Sequence, residues 1–330
     1  MRTALKANRP AILWTVLGLM IGGNLPAMAT DSLKPPEKKF MTVATGTIYS
    51  VYNPIGSAIC QLINRQSSKH NIYCSVRRSS GSAMNLERLQ RKTVDFAIVQ
   101  SDQAKQAIDG TFRIGEFPAF PDIRGVMSLY PEQFVVVSRK GSGIERFLDF
   151  KGKVIDAGED GSGTAALFEL IRSSYGIEQN FFQSVTHLAG KTVVDNFCHG
   201  SIDGFAYLSG SPNSLVQSAI ENCNGQLVLI DSGVRGYMAT RYPELIESVI
   251  PPGRYPGVNY EVPTIGSGAL LVTSTQVDPQ IVQAVVQSVA DQLGELHASH
   301  PVMSDVTLGD LLPKFKFLTV VDASKKVFHD

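Results

Sequence analysis

Near its amino end the chain contains a strand-like segment that passes through a glycine into a helix-like segment. Residues 40–45 are apolar or β-branched and predict a strand. Gly46 interrupts this pattern, and Asn53 as N-cap followed by Pro54 predicts a helix with one apolar stripe. A strand, a small-residue turn and a helix N-terminus direct several backbone N–H groups to one point, which favours an anion. An ordinary strand-to-helix connection explains the same residues equally well.

The length, charge and first residues of the chain restrict the class of protein. Its 330 residues suffice for two domains, and its 30 basic and 30 acidic side chains cancel, so nothing indicates a nucleic-acid partner. Residues 1–29 combine a basic lead, an apolar run and a small-x-small cleavage site, which predicts a signal peptide and export. A retained N-terminal anchor is the less favoured alternative, because the apolar run is short for a membrane span. Residues 30–39, rich in proline and lysine, indicate a loose tether.

Export to a disulfide-permitting compartment decides how the four cysteines are interpreted. Of the three connectivities we favour Cys60–Cys74 and Cys198–Cys223, because these pairs close short loops. A metal site is a poorer alternative, since no C-x-x-C pair is present and His199 lacks a second pair of ligands. We expect no metal and no cofactor.

The strand–turn–helix order recurs along the chain. Strands are predicted at 72–77 and 94–99, and helices at 83–91, with Ser82 as N-cap, and after residue 102, stopping at Gly110. In sheets of this kind ligands bind beyond the carboxyl ends of the strands. The polar residues at those ends are Ser80, Gln100, Ser101 and Asp102.

About 110 residues after the first unit, a similar unit appears. A strand at 153–157 leads through a glycine-rich turn at 158–164 into a helix at 165–173. Shorter strands are predicted at 125–129 and 134–137 with a loop between them, and one long helix at 279–297. The sequence therefore predicts an α/β protein with two lobes, each a doubly wound mixed sheet flanked by helices, which present helix N-termini to a shared cleft.

Eight short motifs between residues 40 and 295 occur in a characteristic order. They are Ala44-Thr45-Gly46-Thr47 with Val51-Tyr52, Asn53-Pro54 and Gly56; Ser79-Ser80-Gly81-Ser82 with Asn85-Leu86; Val94 to Asp102; Ser128-Leu129-Tyr130-Pro131-Glu132; Gly143-Ile144; Asp149-Phe150-Lys151-Gly152-Lys153; Gly161-Ser162-Gly163-Thr164; and Cys198 to Cys223 with Ile202-Asp203-Gly204-Phe205. In this order the chain resembles the TAXI-type solute receptors of TRAP transporters, which have the type II periplasmic-binding-protein fold. Two departures are Gly210-Ser211-Pro212, where the family has Gly-His-Pro, and the absence of the family's proline- and histidine-rich C-terminal stretch.

The resemblance implies a monomeric periplasmic receptor. One lobe would comprise residues 40–134 and 263–330, and the other residues 135–262. It implies a small carboxylate ligand, with glutamate-like amino acids as the best-known case, and delivery to the membrane subunits of a TRAP permease. The alternative is a ligand-sensing or interaction protein of the same fold that is not coupled to transport.

Backbone amides of the two glycine-containing turns, nearby hydroxyl groups and aromatic walls are the expected ligand contacts. The expected binding residues are Thr45, Gly46, Tyr49, Ser50, Tyr52, Ser80, Gln100, Ser101, Asp102, Tyr130, Glu132, Ser162, Gly163, Thr164 and Tyr207. Glu132 would pair with a ligand amine, or would equally be a solvated loop carboxylate. Asp102 would contact polar groups of the ligand, or would only stabilise the first turn of its helix. Each tyrosine would either line the cleft or pack in the core.

Catalytic patterns are missing from the sequence. It contains no G-x-S-x-G, H-E-x-x-H or Walker-type loop, and the turn at 161–164 lacks the lysine of a phosphate loop. The six histidines are scattered. We therefore expect no catalytic residues and a protein that is not an enzyme.

Overall fold

The computed structural model describes residues 37–111 and 118–329. The predicted signal peptide and most of the predicted tether lie outside these residues. The strands are β1 (Lys39–Ala44), β2 (Ile72–Arg77), β3 (Phe96–Gln100), β4 (Ile123–Arg139), β5 (Val154–Asp156), β6 (Ser184–Thr186), β7 (Gly204–Ser209), β8 (Gly225–Leu227), β9 (Leu245–Ile250) and β10 (Val262–Ser274).

Helices cover both faces of the sheet that these strands form. The α-helices are α1 (Tyr52–Arg65), α2 (Ser67–His70), α3 (Ser82–Gln90), α4 (Ser101–Asp109), α5 (Gly163–Ser174), α6 (Lys191–His199), α7 (Ser214–Asn222), α8 (Ser232–Arg241), α9 (Pro279–Ala290), α10 (Leu293–His297) and α11 (Asp322–Val327). Short 3₁₀ helices occupy Phe147–Phe150, Gln179–Phe181, Pro301–Met303 and Gly309–Leu311.

One sheet of ten strands runs through the molecule in the order β2-β1-β3-β10-β4-β7-β5-β6, with β8 beside β4 and β9 beside β10. The strands β1, β2 and β3 are parallel, as are β5, β6 and β7. The long strands β4 and β10 are antiparallel to their neighbours. The sheet is therefore mixed, as expected, but it is one continuous sheet, in which an antiparallel centre joins two parallel parts.

The apolar core is divided along these two long strands. Two clusters of buried side chains come from residues 41–130 and 269–328, and the other two from residues 134–265. We call these parts the first and the second lobe. The predicted boundaries after residues 134 and 262 fall within β4 and at the start of β10. Each lobe therefore has its own core, while the hydrogen-bonded sheet continues through both.

The predicted loop at residues 130–132 is wrong. These residues lie inside the continuous strand β4, which has 17 residues. Pro131 has no N–H to donate, but its register partner is Gly268 of β10, and the register shifts beside it, between Tyr130 and Ser128. Proline is tolerated at such irregularities of a sheet. Glu132 is consequently a strand residue, not a residue of a solvated loop.

Several helix boundaries also differ from the predictions. The helix α1 starts at Tyr52, one residue before the predicted N-cap Asn53, and its apolar stripe is buried as expected. The helix α3 is preceded by Gly81 instead of the predicted Ser82. The single helix predicted over 279–297 is two helices, α9 and α10, separated by two residues.

Both predicted disulfides are confirmed. Cys60 of α1 is bonded to Cys74 of β2, and Cys198 of α6 is bonded to Cys223 after α7. Each bond ties a helix to a neighbouring element of the same lobe. Among the helices of residues 37–111 and 118–329, none has both the length and the apolar character of a membrane span.

Candidate functional site

A cavity of about 470 Å³ lies between the two lobes. Four helices begin at its wall: α1 and α3 of the first lobe, and α5 and α6 of the second lobe. The first N–H groups of a helix have no partner within the helix, and the helix dipole adds partial positive charge there. The geometry of the backbone alone therefore makes this cavity attractive to an anion.

The start of α5 shows how the sequence forms one of these four helix N-termini. The Ser162 hydroxyl caps the helix by accepting a hydrogen bond of 3.1 Å from the Ala165 amide. The amides of Gly163 and Thr164 precede the first hydrogen bonds of the helix, and both residues line the cavity. The turn before them needs glycine at position 158, whose φ is +85° and whose added Cβ would lie 2.7 Å from Thr164.

The two glycine-containing turns face one another across the cavity, and the lobes touch at its edges. A Cβ on Gly163 would lie 1.8 Å from Oε1 of Gln100 in the opposite lobe. The Asn213 side chain donates a hydrogen bond of 3.2 Å to the Tyr49 carbonyl, again between lobes. The two lobes are therefore in contact around the cavity, and a side chain at position 163 would force the Gln100 amide to move.

Glu132 is the most unusual side chain of the wall. It is only 4% exposed. Its Oε2 atom accepts hydrogen bonds from Nε2 of Gln100, at 2.8 Å, and from the Tyr52 hydroxyl, at 3.2 Å. Burial raises the pKa of Glu132 to about 8, and the nearby Asp102 carboxyl adds to this, while the two hydrogen bonds oppose it. At pH 7 the side chain is therefore mainly a neutral acid inside the cavity.

A chain of amide groups continues from Glu132 into the first lobe. Nε2 of Gln103 donates to Oε1 of Gln100 at 2.8 Å, which orients the Gln100 amide toward Glu132. The Ser82 hydroxyl accepts from the Gln100 backbone amide at 3.0 Å. The buried Oε1 of Gln103 has no hydrogen-bond partner within the described part of the chain. These contacts hold the Gln100 amide in the position from which it donates to Oε2 of Glu132.

The charges of the wall are mostly negative. In addition to Glu132, the wall carries the carboxyl groups of Asp156, Glu159 and Asp160. Among the described residues that line the cavity, Lys191 is the one basic side chain. Lys191 is already paired with Asp195. A ligand anion would therefore rely on backbone amides, whereas a ligand cation would find carboxyl groups.

Asp156 has a structural role at this wall. It accepts hydrogen bonds from the amides of Gly158, at 3.0 Å, and Leu188, at 2.8 Å, and from the Thr186 hydroxyl, at 2.8 Å. Burial raises the pKa of this carboxyl, and the three hydrogen bonds oppose the rise. The side chain thus holds the turn after β5 against the segment before α6. Nearby, burial raises the pKa of Tyr207 to about 12, so that this phenol stays neutral.

Residues 43–317 match the model of the NMT1-like family. This match covers well over half of the chain. The protein belongs to the NMT1-like family.

Solved structures share the fold of this NMT1-like protein. The periplasmic aliphatic sulphonate-binding protein SsuA of Escherichia coli matches with a TM-score of 0.51 and 12% identity, over 81% of this chain and 78% of that chain. The alkanesulfonate-binding protein SsuA of Xanthomonas axonopodis pv. citri, bound to MOPS, matches with a TM-score of 0.50 and 13% identity, over 81% and 79%. An ATP-bound protein of Xanthomonas citri matches with a TM-score of 0.52 and 10% identity, over 88% and 94%. The periplasmic-binding-protein fold expected from the sequence is confirmed.

Most of the expected binding residues of this NMT1-like protein line the interlobe cavity. They are Gly46, Tyr49, Ser50, Tyr52, Ser80, Gln100, Glu132, Ser162, Gly163, Thr164 and Tyr207. Sequence reasoning missed seven polar residues of the wall: Thr47, Ser82, Gln103, Asp156, Glu159, Asp160 and Lys191. Ser82 carries a signal that was available, because it was the predicted N-cap of a helix.

Four expected binding residues lie elsewhere. Ser101 donates a hydrogen bond of 2.7 Å to the Glu244 carbonyl, and Asp102 accepts one of 2.6 Å from Ser267. Both residues belong to the first turn of α4, whose direction takes them toward β10 and away from the cavity. Thr45 is buried beneath the first turn, and Tyr130 lines a different cavity.

Proposed function

We propose that this protein is a periplasmic solute receptor of the TAXI type, which binds a small carboxylate between its lobes and delivers it to a TRAP permease. The observation that carries the proposal is the meeting of four helix N-termini at one cavity between two lobes. Such a cavity holds an anion without any cationic side chain. The anionic ligands of similar structures, sulfonates and ATP, support this use of the fold.

The ligand class that fits best is a glutamate-like amino acid. Its carboxylate would lie at the amides of Gly163 and Thr164, and its ammonium group at Glu132. The excess of carboxyl groups in the wall favours a ligand that also carries positive charge over a simple dianion. A cavity of about 470 Å³ lies in the usual range for small-molecule sites.

Closure of the lobes would be the signal that the receptor gives. A ligand that touches Gly163 of the second lobe and Glu132 of β4 makes all of its contacts only in the closed form. Binding therefore shifts the population toward that form, by as much as the affinities for the open and closed forms differ. The permease would then recognise the closed face.

Calorimetric titration tests the ligand class. The panel contains glutamate, glutamine, pyroglutamate and the C4–C5 dicarboxylates, with glutarate as the amine-free match of glutamate. We expect glutamate to bind more tightly than glutarate to the wild type, because an ammonium group beside Glu132 favours the ionised form of this carboxyl. The Glu132→Gln variant should lose most of this preference, because glutamine cannot ionise when the ammonium group binds. Absence of heat across the panel, with no small anion in the mass spectrum of the purified protein, would contradict the proposal.

The partner is tested separately. A gene for a fused large-and-small TRAP permease beside the gene for this receptor supports transport. A membrane kinase gene in that position would instead favour the ligand-sensing alternative. Uptake into vesicles that contain the permease decides between these alternatives. The purified receptor should support sodium-driven uptake of the ligand identified by calorimetry, and the Glu132→Gln variant should support less uptake.

A further inference from the structure

A second cavity, of about 940 Å³, lies beside the strand β4. Adjacent residues of a strand point to opposite faces of the sheet. Glu132 lines the interlobe cavity, whereas its neighbours Pro131 and Gln133 line the second cavity. The residues at the register shift of β4, Ser128 to Tyr130, line the second cavity as well. The two cavities have no wall residue in common, so the second one is a separate compartment.

The wall of the second cavity is apolar and comes from both lobes. Leu245, Ile246 and Val249 of β9 form the part that belongs to the second lobe, and Phe315 and Phe317 belong to the part from the first lobe. A volume of this size is at the upper end of the range for small-molecule sites. Since Val249 is 42% exposed, the apolar wall continues to solvent at one side. A cavity with such walls favours an apolar chain.

Two lysines of this wall have no ion pair within 4 Å among the described residues, although hydrogen bonds from Thr307, and then the charge of Lys314, contribute to lowering the pKa of Asp310. Arg254 donates to Asp305, at 3.1 Å, and to a backbone carbonyl, so its charge is already matched. Asp310 accepts its hydrogen bonds from Thr307. The exposed side chains of Lys314 and Lys316 line the same cavity, and neither forms an ion pair within 4 Å among the described residues.

We propose that the second cavity binds a free medium-chain alkyl carboxylate. The alkyl chain would lie against β9 and the two phenylalanines, and the carboxylate would lie between Lys314 and Lys316 at the cavity mouth. These lysines alternate with Phe315 and Phe317 along residues 314–317, where the Leu318 amide closes a turn onto the Phe315 carbonyl, so the apolar wall and the positive charge belong to the same stretch of chain. An amphiphilic cation would meet the wrong charge, and an uncharged alkane would gain no attraction from the two lysines.

Decanoate, below its micelle concentration, is the probe, with decyltrimethylammonium as its charge-reversed match. We expect calorimetry to show saturable binding of one decanoate per chain. Ile246→Trp, which places an indole in the cavity, should weaken decanoate binding at least tenfold. The double variant Lys314→Glu/Lys316→Glu should weaken decanoate binding by about tenfold at low salt and tighten that of decyltrimethylammonium. Lys326→Glu, on an exposed lysine of α11 outside the wall, is the control and should change neither.

The Glu132→Gln variant distinguishes decanoate binding at the second cavity from decanoate binding at the interlobe cavity. It should leave decanoate binding unchanged, because Glu132 lines the interlobe cavity and not the second one. Loss of decanoate binding in that variant, or decanoate binding that survives both Ile246→Trp and the double charge reversal, would overturn the proposal. Absence of saturable binding to the wild type would do the same. Co-sedimentation with vesicles of phosphatidylglycerol, without binding of free decanoate, would assign the lysines to a membrane surface instead. If Ile246→Trp fails to fold, the charge-reversal pair decides alone.

Discussion

Replacing Glu132 by glutamine should stabilise the ligand-free protein, and by an amount that depends on pH. The pKa of this carboxyl is about 8 in the folded protein against an ordinary value of 4.5. A carboxyl group with a raised pKa costs stability as the pH rises from the unfolded value to the folded value, because the unfolded chain releases the proton more readily. At pH 7 this cost is about 3 kcal/mol, and at pH 5 it is about 1 kcal/mol.

Denaturant unfolding of wild type and Glu132→Gln at pH 5 and pH 7 measures this difference. Glutamine cannot ionise, but its side-chain oxygen can still accept hydrogen bonds from Tyr52 and Gln100. The gain in the free energy of unfolding should therefore be larger at pH 7 than at pH 5 by about 2 kcal/mol. Glu145→Gln, at an exposed glutamate, provides the same change of charge as a control. An equal effect at both pH values, or a less stable variant at pH 7, would refute the assignment of Glu132 as a buried neutral acid.

Three further predictions concern the disulfides and glycines. Removing the Cys198–Cys223 bond by a double serine substitution should lower the free energy of unfolding by about 3 kcal/mol, measured by denaturant unfolding. Gly163→Ala should weaken binding of the interlobe ligand at least tenfold in calorimetry, because its methyl group meets the facing glutamine in the closed form. Gly233→Ala, in open space on α8, is its control. Gly158→Ala should lower the melting temperature, since its φ is +85°.

The turns of the cavity were predictable because their signals are local. A glycine after a strand identifies Gly46, and a glycine-rich turn before a helix identifies Ser162, each from a few neighbouring residues. The convergence of these turns follows from the repetition of the strand–turn–helix unit in each lobe. The short loops between cysteines likewise indicate the two disulfide partners correctly.

The remaining features depend on residues that are distant in sequence. The continuity of β4 through Pro131 follows from its pairing with β10, more than 130 residues later in the chain. Whether Asp102 faces the ligand or β10 depends on the direction in which α4 leaves β3, which no pattern in the helix itself specifies. The environment of Glu132 arises in the same way, because three elements from different parts of the chain bury it.

Because β4 passes through the cores of both lobes, it affects how the molecule unfolds. Its backbone amides pair with β10 in one lobe and with β7 in the other, so neither lobe can lose its central strand while its neighbour stays intact. The two halves should therefore melt in a single cooperative step. Amide protons on either side of residue 132 should exchange with solvent at one shared, slow rate, set by opening of the whole molecule.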